Sequence, residues 1–347
     1  MADSKLTSKN GYDLPHKVGI IFSEVKREYF PTEAQYITEK DAKGDAEVIA
    51  AYLRKLGVDV FLYGGSNLLP ERLKKDKPDM VINLADSVKG YESLAAAIPG
   101  VLELLEIPYT GADILGMSLD TNKFVVKKLL AQNGVPVPNY QLFTTPNDLM
   151  DPTLRFPLIS KLNEIHGSVE ITKDAVSENE RALRERLKYL ISTYKQPVLV
   201  EEFIVGREVT AILLEGLNKK VYLAEKIFHF KEGEDRKYHF LTFDEQWLAK
   251  SGASFTYQKN EDDLLSEYVR KAFDVARMMD YGKFDIRIDS SGRYFFIDSN
   301  TNPAFGPKEL DCAMANILDL YGIKFIEILK RLLLNTVRDY QGKERLP

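Results

Sequence analysis

Apolar and charged residues alternate most regularly near the C-terminal end of the chain. Between residues 284 and 289 every second side chain is apolar and the intervening ones are charged. This period of two predicts a β-strand with its apolar face turned inward. Residues 290–293 read Ser-Ser-Gly-Arg, which is typical of a turn, and the aromatic-rich residues 294–300 predict a returning strand. The pattern therefore predicts a β-hairpin.

A four-residue loop in this hairpin would place two acidic side chains opposite each other. In that register Asp289 pairs with Tyr294. Asp285 then faces Asp298, and Asn300 lies on the same face as Asp298. Two facing carboxylates repel each other, and a divalent cation between them would remove the repulsion. Two alternatives are a solvated hairpin face and a three-residue loop, which would put the two aspartates on opposite faces.

The first hundred residues alternate between apolar runs and amphipathic stretches. Strands are predicted at 17–23, 58–63 and 80–84, with helices at 45–56 and 68–75 between them. This order predicts a doubly wound α/β domain with a parallel sheet. No Gly-x-Gly-x-x-Gly motif follows the first strand, so a dinucleotide site is not expected.

Capping residues and periodicity predict several later helices. Asp120 is predicted to cap a helix that ends at Gly134, and Ser177 with Glu180 forms a predicted capping box for a helix that ends near 194. Further predictions are paired strands at 209–215 and 220–230, a polar candidate lid at 231–254, a helix at 261–279 and a closing helix at 316–334 that Gly322 interrupts.

Composition narrows the class of protein. The 347 residues are 44% apolar and 29% charged, which is typical of a globular protein of two or three domains. The net charge of −5 argues against a nucleic-acid or membrane partner. Cys312 is the only cysteine, so an internal disulfide is excluded and a reducing, cytoplasmic compartment is expected. The polar residues 1–16 predict a flexible tail without a signal peptide.

Asp285 and residues 298–303, which read Asp-Ser-Asn-Thr-Asn-Pro, resemble the metal-binding end of the ATP-grasp ligases, in particular the D-alanine–D-alanine ligase group. The usual pattern there is an Arg-x-Asp strand followed by Glu-x-Asn-x-x-Pro-Gly. This chain has Lys283 in place of the Arg, Asp298 in place of the Glu and Ala304 in place of the Gly. The resemblance implies a Mg²⁺ or Mn²⁺ site formed by Asp285, Asp298 and Asn300.

Residues 198–208 resemble the hinge that holds adenine in ATP-grasp enzymes. The resemblance implies that Glu201 accepts the adenine amino group and that Glu208 binds the ribose hydroxyls. The backbone of Phe203 and Ile204 would pair with the ring edge. The implied nucleotide contacts in this segment are Glu201, Glu202, Phe203, Ile204 and Glu208. The alternative is an acidic loop before a strand.

Three lysines and a small loop resemble the phosphate-binding parts of the same enzymes. Lys123 matches the first phosphate-contacting lysine, and Lys161 ends an apolar run, where a charge needs a partner. Lys226 lies on an apolar strand face, from which it could reach phosphates. Gly167 and Ser168 match the loop that folds over the phosphates. The alternatives are surface lysines and an ordinary turn. The neighbouring His166 is interpreted as a loop residue without a catalytic partner.

The resemblance covers about 17–334 and implies an ATP-grasp fold of three α/β subdomains. The implied division is a tail (1–16), a doubly wound domain (17–111), a central subdomain (112–200) and a C-terminal subdomain with the metal site (201–347). The family's Ser-x-Glu motif after the first strand, which positions the first D-alanine, has no good match here. The identity of the substrates is therefore open.

The implied reaction joins a small-molecule acid to an amine through an acyl phosphate, with ATP as the phosphoryl donor. Lys283, Arg287 and Ser168 are the implied catalytic residues, and Lys283, Arg287 and the Ala304 N–H are the candidates for stabilising the oxyanion. A homodimer is a further implication. Two other functions stay open: an ATP-grasp kinase, which the Lys283 departure allows, and a nucleotide-binding pseudoenzyme.

Overall fold

The computed structural model describes residues 14–230, 238–248 and 254–346. Most of the predicted tail and much of the candidate lid therefore lie outside the described residues. Within those ranges, no helix combines the length and the apolar character that crossing a membrane requires. The described residues form three sheets, each with its own helices.

The N-terminal part is a parallel sheet between helices. Its strands are β1 (Lys17–Ser23), β2 (Asp59–Gly65) and β3 (Met80–Asn83), in the order β2-β1-β3. Its helices are α1 (Glu33–Glu39), α2 (Ala42–Lys55), α3 (Leu69–Asp76) and α4 (Ala97–Leu104). Both strand pairings are parallel, so the predicted α/β order and parallel sheet are confirmed.

The central part is an antiparallel sheet of four strands in the order β4-β7-β5-β6. Its elements are α5 (Ile114–Asp120), α6 (Lys123–Gln132), β4 (Tyr140–Phe143), β5 (Leu158–Leu162), β6 (Val176–Ser177), α7 (Glu180–Tyr194) and β7 (Val198–Glu202).

Two predicted helix caps in this part are wrong. Asp120 is the last residue of α5, and the α6 cap is Asn122, whose side chain accepts the Val125 N–H. Asn179 caps α7 by accepting the Ala182 N–H, because Ser177 already belongs to β6. In both cases another residue that favours caps lies closer to the first helical turn.

The C-terminal part is an antiparallel sheet of five strands in the order β10-β9-β8-β11-β12. Its elements are β8 (Gly206–Leu214), β9 (Lys220–Phe228), α8 (Phe243–Trp247), β10 (Phe255–Asn260), α9 (Asp263–Val275), β11 (Tyr281–Asp289), β12 (Tyr294–Asn300), α10 (Ala313–Leu320) and α11 (Phe325–Tyr340).

The predicted interruption of the closing helix at Gly322 is confirmed, and the chain forms two helices there. Gly322 lies between α10 and α11 with φ of +72°, a left-handed conformation that ends the first helix. Ile317 and Leu329 share one buried core with Val18 and Ile20 of β1. The C-terminal helices therefore pack on the first sheet, at the opposite end of the sequence.

Candidate active site

A single cleft of about 1190 Å³, counting its open mouth, is lined by both antiparallel sheets and the loop after β5. With the exception of Ala304, the site residues predicted from the sequence line this cleft. They are Lys123, Lys161, Gly167, Ser168, Glu201, Glu202, Phe203, Ile204, Glu208, Lys226, Lys283, Asp285, Arg287, Asp298 and Asn300. Their individual roles remain predictions.

The hairpin of β11 and β12 pairs Asp285 with Asp298, but by a different route from the predicted one. At the loop end Ile288, not Asp289, pairs with Tyr294. That register alone would set the two aspartates on opposite faces. A bulge at Ile297 shifts the ladder by one residue and returns Asp298 to the face of Asp285.

The bulge also frees a backbone oxygen for use in the cleft. The Ile297 carbonyl accepts a hydrogen bond of 2.8 Å from the Lys161 ammonium. The bulged strand thus positions an aspartate and holds a lysine of the neighbouring sheet at the same point.

Both aspartates are held ionised. Burial alone would raise the pKa of Asp285, but Lys226 and Lys283 outweigh it and hold the pKa well below the usual range. The Thr210 hydroxyl donates to the Asp285 carboxylate at 2.7 Å, and the Lys283 ammonium also contacts it. Burial likewise opposes ionisation of Asp298, and Lys123, Lys161 and Lys283 lower its pKa.

The donor set fits a hard divalent cation. Among the described residues, none donates a hydrogen bond to the Asp298 carboxylate, so both oxygens are open to the cleft. Two ionised carboxylates on one face and the Asn300 amide oxygen supply the ligand type that Mg²⁺ prefers. The remaining positions of an octahedral ion would be open to water and substrate.

Glu201 lies between two lysines at the inner end of the cleft. Its carboxylate is 1% exposed and lies 2.8 Å from the Lys127 ammonium and 3.0 Å from the Lys161 ammonium. Burial would raise the pKa of Glu201, but the two lysines lower it. Neither carboxylate oxygen accepts a well-aligned hydrogen bond within the described residues. Each oxygen is buried and has one lysine ammonium as its close ionic partner.

Arg287 is directed at the hinge. Its guanidinium is buried, donates to Glu208 at 2.9 Å and to the Ile204 carbonyl at 3.0 Å, and lies 4.6 Å from the centre of the Phe203 ring. Lys226 donates to the other Glu208 oxygen at 2.7 Å. Burial opposes ionisation of Glu208, but the two cations lower its pKa.

The loop after β5 closes one side of the cleft. Gly167 and Ser168 both have left-handed backbones, with φ of +69° and +57°. A Cβ atom at Gly167 would lie 2.5 Å from Cγ2 of Thr38 in α1, so only glycine fits there. The Lys123 ammonium donates to the Ile165 carbonyl at 2.8 Å, which places this lysine beside the loop.

The sequence profile of the family described as D-ala D-ala ligase C-terminus matches residues 129–334, more than half of the chain. The chain belongs to this ligase family. It has the ATP-grasp fold and is an ATP-dependent carboxylate–amine ligase, as the sequence predicted.

Curated relatives and solved structures agree with the ligase family. The D-alanine–D-alanine ligase of Carboxydothermus hydrogenoformans is 29% identical over 84% of this chain and 91% of its own length. An uncharacterized protein of Sinorhizobium fredii is 29% identical over 74% of this chain and 78% of its own length. The ATP complex of the Bacillus anthracis D-alanine–D-alanine ligase superposes with a TM-score of 0.70 at 18% identity. The match covers 94% of this chain and 99% of that structure, and this likeness shows the fold.

Sequence reasoning missed two residues of this ligase. Lys127 contacts Glu201 and lies one helical turn after Lys123, so the i, i+4 spacing on α6 was the available signal. His166 lies in a loop, as predicted, but its contact with an acidic side chain was not predicted. Its ring nitrogen Nδ1 lies 2.6 Å from Glu92, which is 74 residues away in the sequence and carries no local motif.

Proposed function

We propose that this ligase activates a small carboxylic acid, such as an amino acid, and joins it to the amine of a second amino acid to give a dipeptide. The observation that carries the proposal is the cleft itself. The segment that resembles an adenine hinge, several lysines and two facing aspartates all line one cavity, as binding of a nucleoside triphosphate would require. The names of the curated relatives make D-alanine the first substrate to test.

The nucleotide would lie along the cleft with its adenine at the hinge. Glu201 would accept the amino group through lone pairs that its two lysines leave unused, and Glu208 would bind the ribose hydroxyls. Lys161 and Lys123 lie on the phosphate side, where Gly167 and Ser168 close the cleft. These cations would offset phosphate charge during transfer.

The first chemical step forms the acyl phosphate. A carboxylate oxygen of the acid attacks the γ-phosphorus, and the bond from that phosphorus to the bridging oxygen breaks to release ADP. Asp285, Asp298 and Asn300 would hold Mg²⁺, which supplies charge stabilisation at the phosphates when bound. The lysines of the cleft orient the phosphates for this in-line attack.

The second step forms the amide. The amine nitrogen attacks the acyl carbon, negative charge collects on the carbonyl oxygen, and phosphate leaves as the nitrogen loses a proton. Lys283 lies on the metal face of β11, next to Asp285, and is free of the hinge contacts that occupy Arg287. We assign the oxyanion to Lys283 for this reason.

A product-release assay tests the proposed function. Purified protein with ATP and Mg²⁺ is offered pairs of amino acids, beginning with D-alanine, and ADP and phosphate are measured separately. A ligase requires both an acid and an amine for full release of phosphate. ADP release with an acid or other acceptor alone, and a stable phosphorylated product, would indicate a kinase. ATP binding without release under any pair would indicate a pseudoenzyme.

We propose two further properties of this ligase. A cytoplasmic enzyme acting on free small molecules fits the single, half-buried Cys312. The homodimer is implied by family resemblance, and analytical ultracentrifugation of the full chain tests it.

Glu208 is expected to govern ATP affinity. Glu208→Gln keeps an oxygen for Arg287 but removes the charge and one ribose acceptor, and lost hydrogen bonds cost on the order of 1 kcal/mol each. We expect the ATP dissociation constant to rise by about 5- to 10-fold, with little change in turnover at saturation. Calorimetric titration measures the affinity.

Glu225→Gln is the matched control for Glu208. Glu225 lies next to Lys226 on β9 but pairs with the exposed Arg207, away from the cleft. The ATP affinity of the Glu225→Gln variant should equal that of the unmodified protein. Equal affinity in Glu208→Gln as well would place the ribose elsewhere.

A further inference from the structure

We propose that Glu92 and His166 are positioning residues, a latch that fixes the loop of Gly167 and Ser168 to the N-terminal domain. Glu92 begins a 3-10 turn of that domain (Glu92–Leu94). Its carboxylate accepts the His166 backbone N–H at 2.9 and 3.1 Å and lies 2.6 Å from the ring nitrogen Nδ1. The latch rests on the proposed function only for the phosphate-binding role of the loop.

The loop backbone needs such restraint. Gly167, Ser168 and Glu170 all have positive φ, and the two residues with side chains pay a conformational cost of about 1 kcal/mol or more each. Conformations of this kind persist only where surrounding contacts fix them. The loop therefore keeps its shape through contacts from outside itself.

Three separate parts of the fold supply these contacts. The N-terminal domain provides Glu92 and the close packing of Thr38 on Gly167. Lys123 at the start of α6 donates to the Ile165 carbonyl. From α8, the Trp247 indole N–H donates to the Gly167 carbonyl at 2.8 Å. Among these contacts, Glu92 supplies the hydrogen bonds that join the loop to the N-terminal domain.

The charges around His166 make the latch an ion pair. Burial and Lys123 act to lower the pKa of His166, but Glu92 and Asp120 outweigh them and raise it. Glu92, whose burial favours the neutral form, has its pKa lowered by His166 and Lys123. Asp120 faces the other ring nitrogen at 4.0 Å, and Asp86 and Glu39 are further acidic groups of the same cluster.

The sign of the pH dependence follows from these shifts. The ion pair exists between the lowered pKa of Glu92 and the raised pKa of His166. Because the His166 pKa is raised, the stabilisation is complete below its ordinary value of about 6.5 and is lost as the pH rises through the raised value. The loop should therefore loosen on the alkaline side.

Tryptophan fluorescence reads the loop directly. Trp247 is the only tryptophan in the sequence, and its indole is hydrogen-bonded to the loop. The emission of the full-length protein is recorded from pH 5.5 to 9.5. We expect one titration with a midpoint above about 6.5, which disappears in His166→Gln and moves to lower pH in Glu92→Gln. Both substitutions keep the loop backbone and side chains of similar size.

Measurements of kcat distinguish a positioning role of Glu92 and His166 from a purely structural one. Displacing a positioned group by about 1 Å can cost about 100-fold in rate, so kcat should fall by about 10- to 100-fold in both variants. The affinity for AMP, which the hinge alone holds, should stay within about two-fold. Glu164→Gln is the control, because Glu164 is an exposed carboxylate in the same loop segment.

Two results would overturn the latch. One is an unchanged fluorescence titration in His166→Gln, and the other is full turnover in both variants. Because fluorescence needs no catalysis, the latch and the proposed function fail separately. An inactive protein whose titration disappears in His166→Gln would refute the ligase proposal and leave the latch intact.

Discussion

Replacing Asp298 by alanine should abolish ADP formation while the protein remains folded. Asp298 is one of two ionised carboxylates that face each other across the hairpin, and its oxygens are open to the cleft. Without it, the cation would keep only Asp285 and Asn300, and the phosphate charge during transfer would be poorly offset. Because three lysines hold Asp298 ionised, its removal should cost some stability, and circular dichroism checks that the variant is folded.

Metal binding gives a second measurement that does not depend on turnover. Titration of Mn²⁺, followed by electron paramagnetic resonance, should show weaker binding in Asp298→Ala and in the isosteric Asp298→Asn. Asp289→Asn is the matched control, because Asp289 lies at the loop end of the same hairpin and outside the cleft lining. Binding of adenosine at the hinge should survive. Normal ADP formation by Asp298→Ala would remove Asp298 from the metal site.

The hairpin shows how far local pattern carries a prediction. Alternation identified the first strand and aromatic content the second, and the pairing of Asp285 with Asp298 was predicted correctly. The predicted loop register was wrong, and the bulge at Ile297 compensates for it. A bulge is selected by contacts such as the one from Lys161, which belongs to another sheet. A single sequence contains no local sign of that contact.

The hinge shows a similar limit. The string that contains Glu201 and Glu208 was specific enough to place both in the cleft. The partners of those carboxylates were not predictable, because Lys127 and Arg287 come from distant elements. The ion pair of His166 was not predictable for the same reason, because its partner Glu92 lies in another domain. Residue types and spacing predicted which side chains line the cleft. The partners of each side chain depend on tertiary contacts, and these contacts decide its chemistry.

The buried charges of the cleft also explain why the Arg287 guanidinium points toward the hinge. A buried guanidinium needs acceptors for its donors, and Glu208 with the Ile204 carbonyl supplies them at the hinge. Arg287→Ala would leave Glu208 with Lys226 alone and weaken the hinge. Its main expected effect is therefore on ATP affinity and stability, which separates it from a residue at the reacting carbonyl.

Lys283→Ala should lower amide formation by about 10²- to 10³-fold, the usual cost of removing one oxyanion donor, and leave ATP binding nearly intact. Lys283 precedes Asp285 by two residues on β11, so it lies on the same face, and its ammonium contacts the Asp285 carboxylate. Burial would lower the pKa of Lys283, but Asp285 and Asp298 raise it, so the cation persists. Lys283→Arg should retain substantial activity, because it restores a cation with additional donors.

Single-turnover kinetics compare the Lys283→Ala variant with Arg287→Ala and with the control Lys259→Ala. Lys259 lies on β10, outside the cleft lining. At saturating ATP, amide formation should be slow only in Lys283→Ala, since the hinge defect of Arg287→Ala is overcome by nucleotide concentration. Normal amide formation in Lys283→Ala together with a slow step in Arg287→Ala at saturating ATP would exchange the two roles. In that case the guanidinium would leave Glu208 during the reaction and reach the oxyanion, and Lys283 would serve only to offset the charge of Asp285.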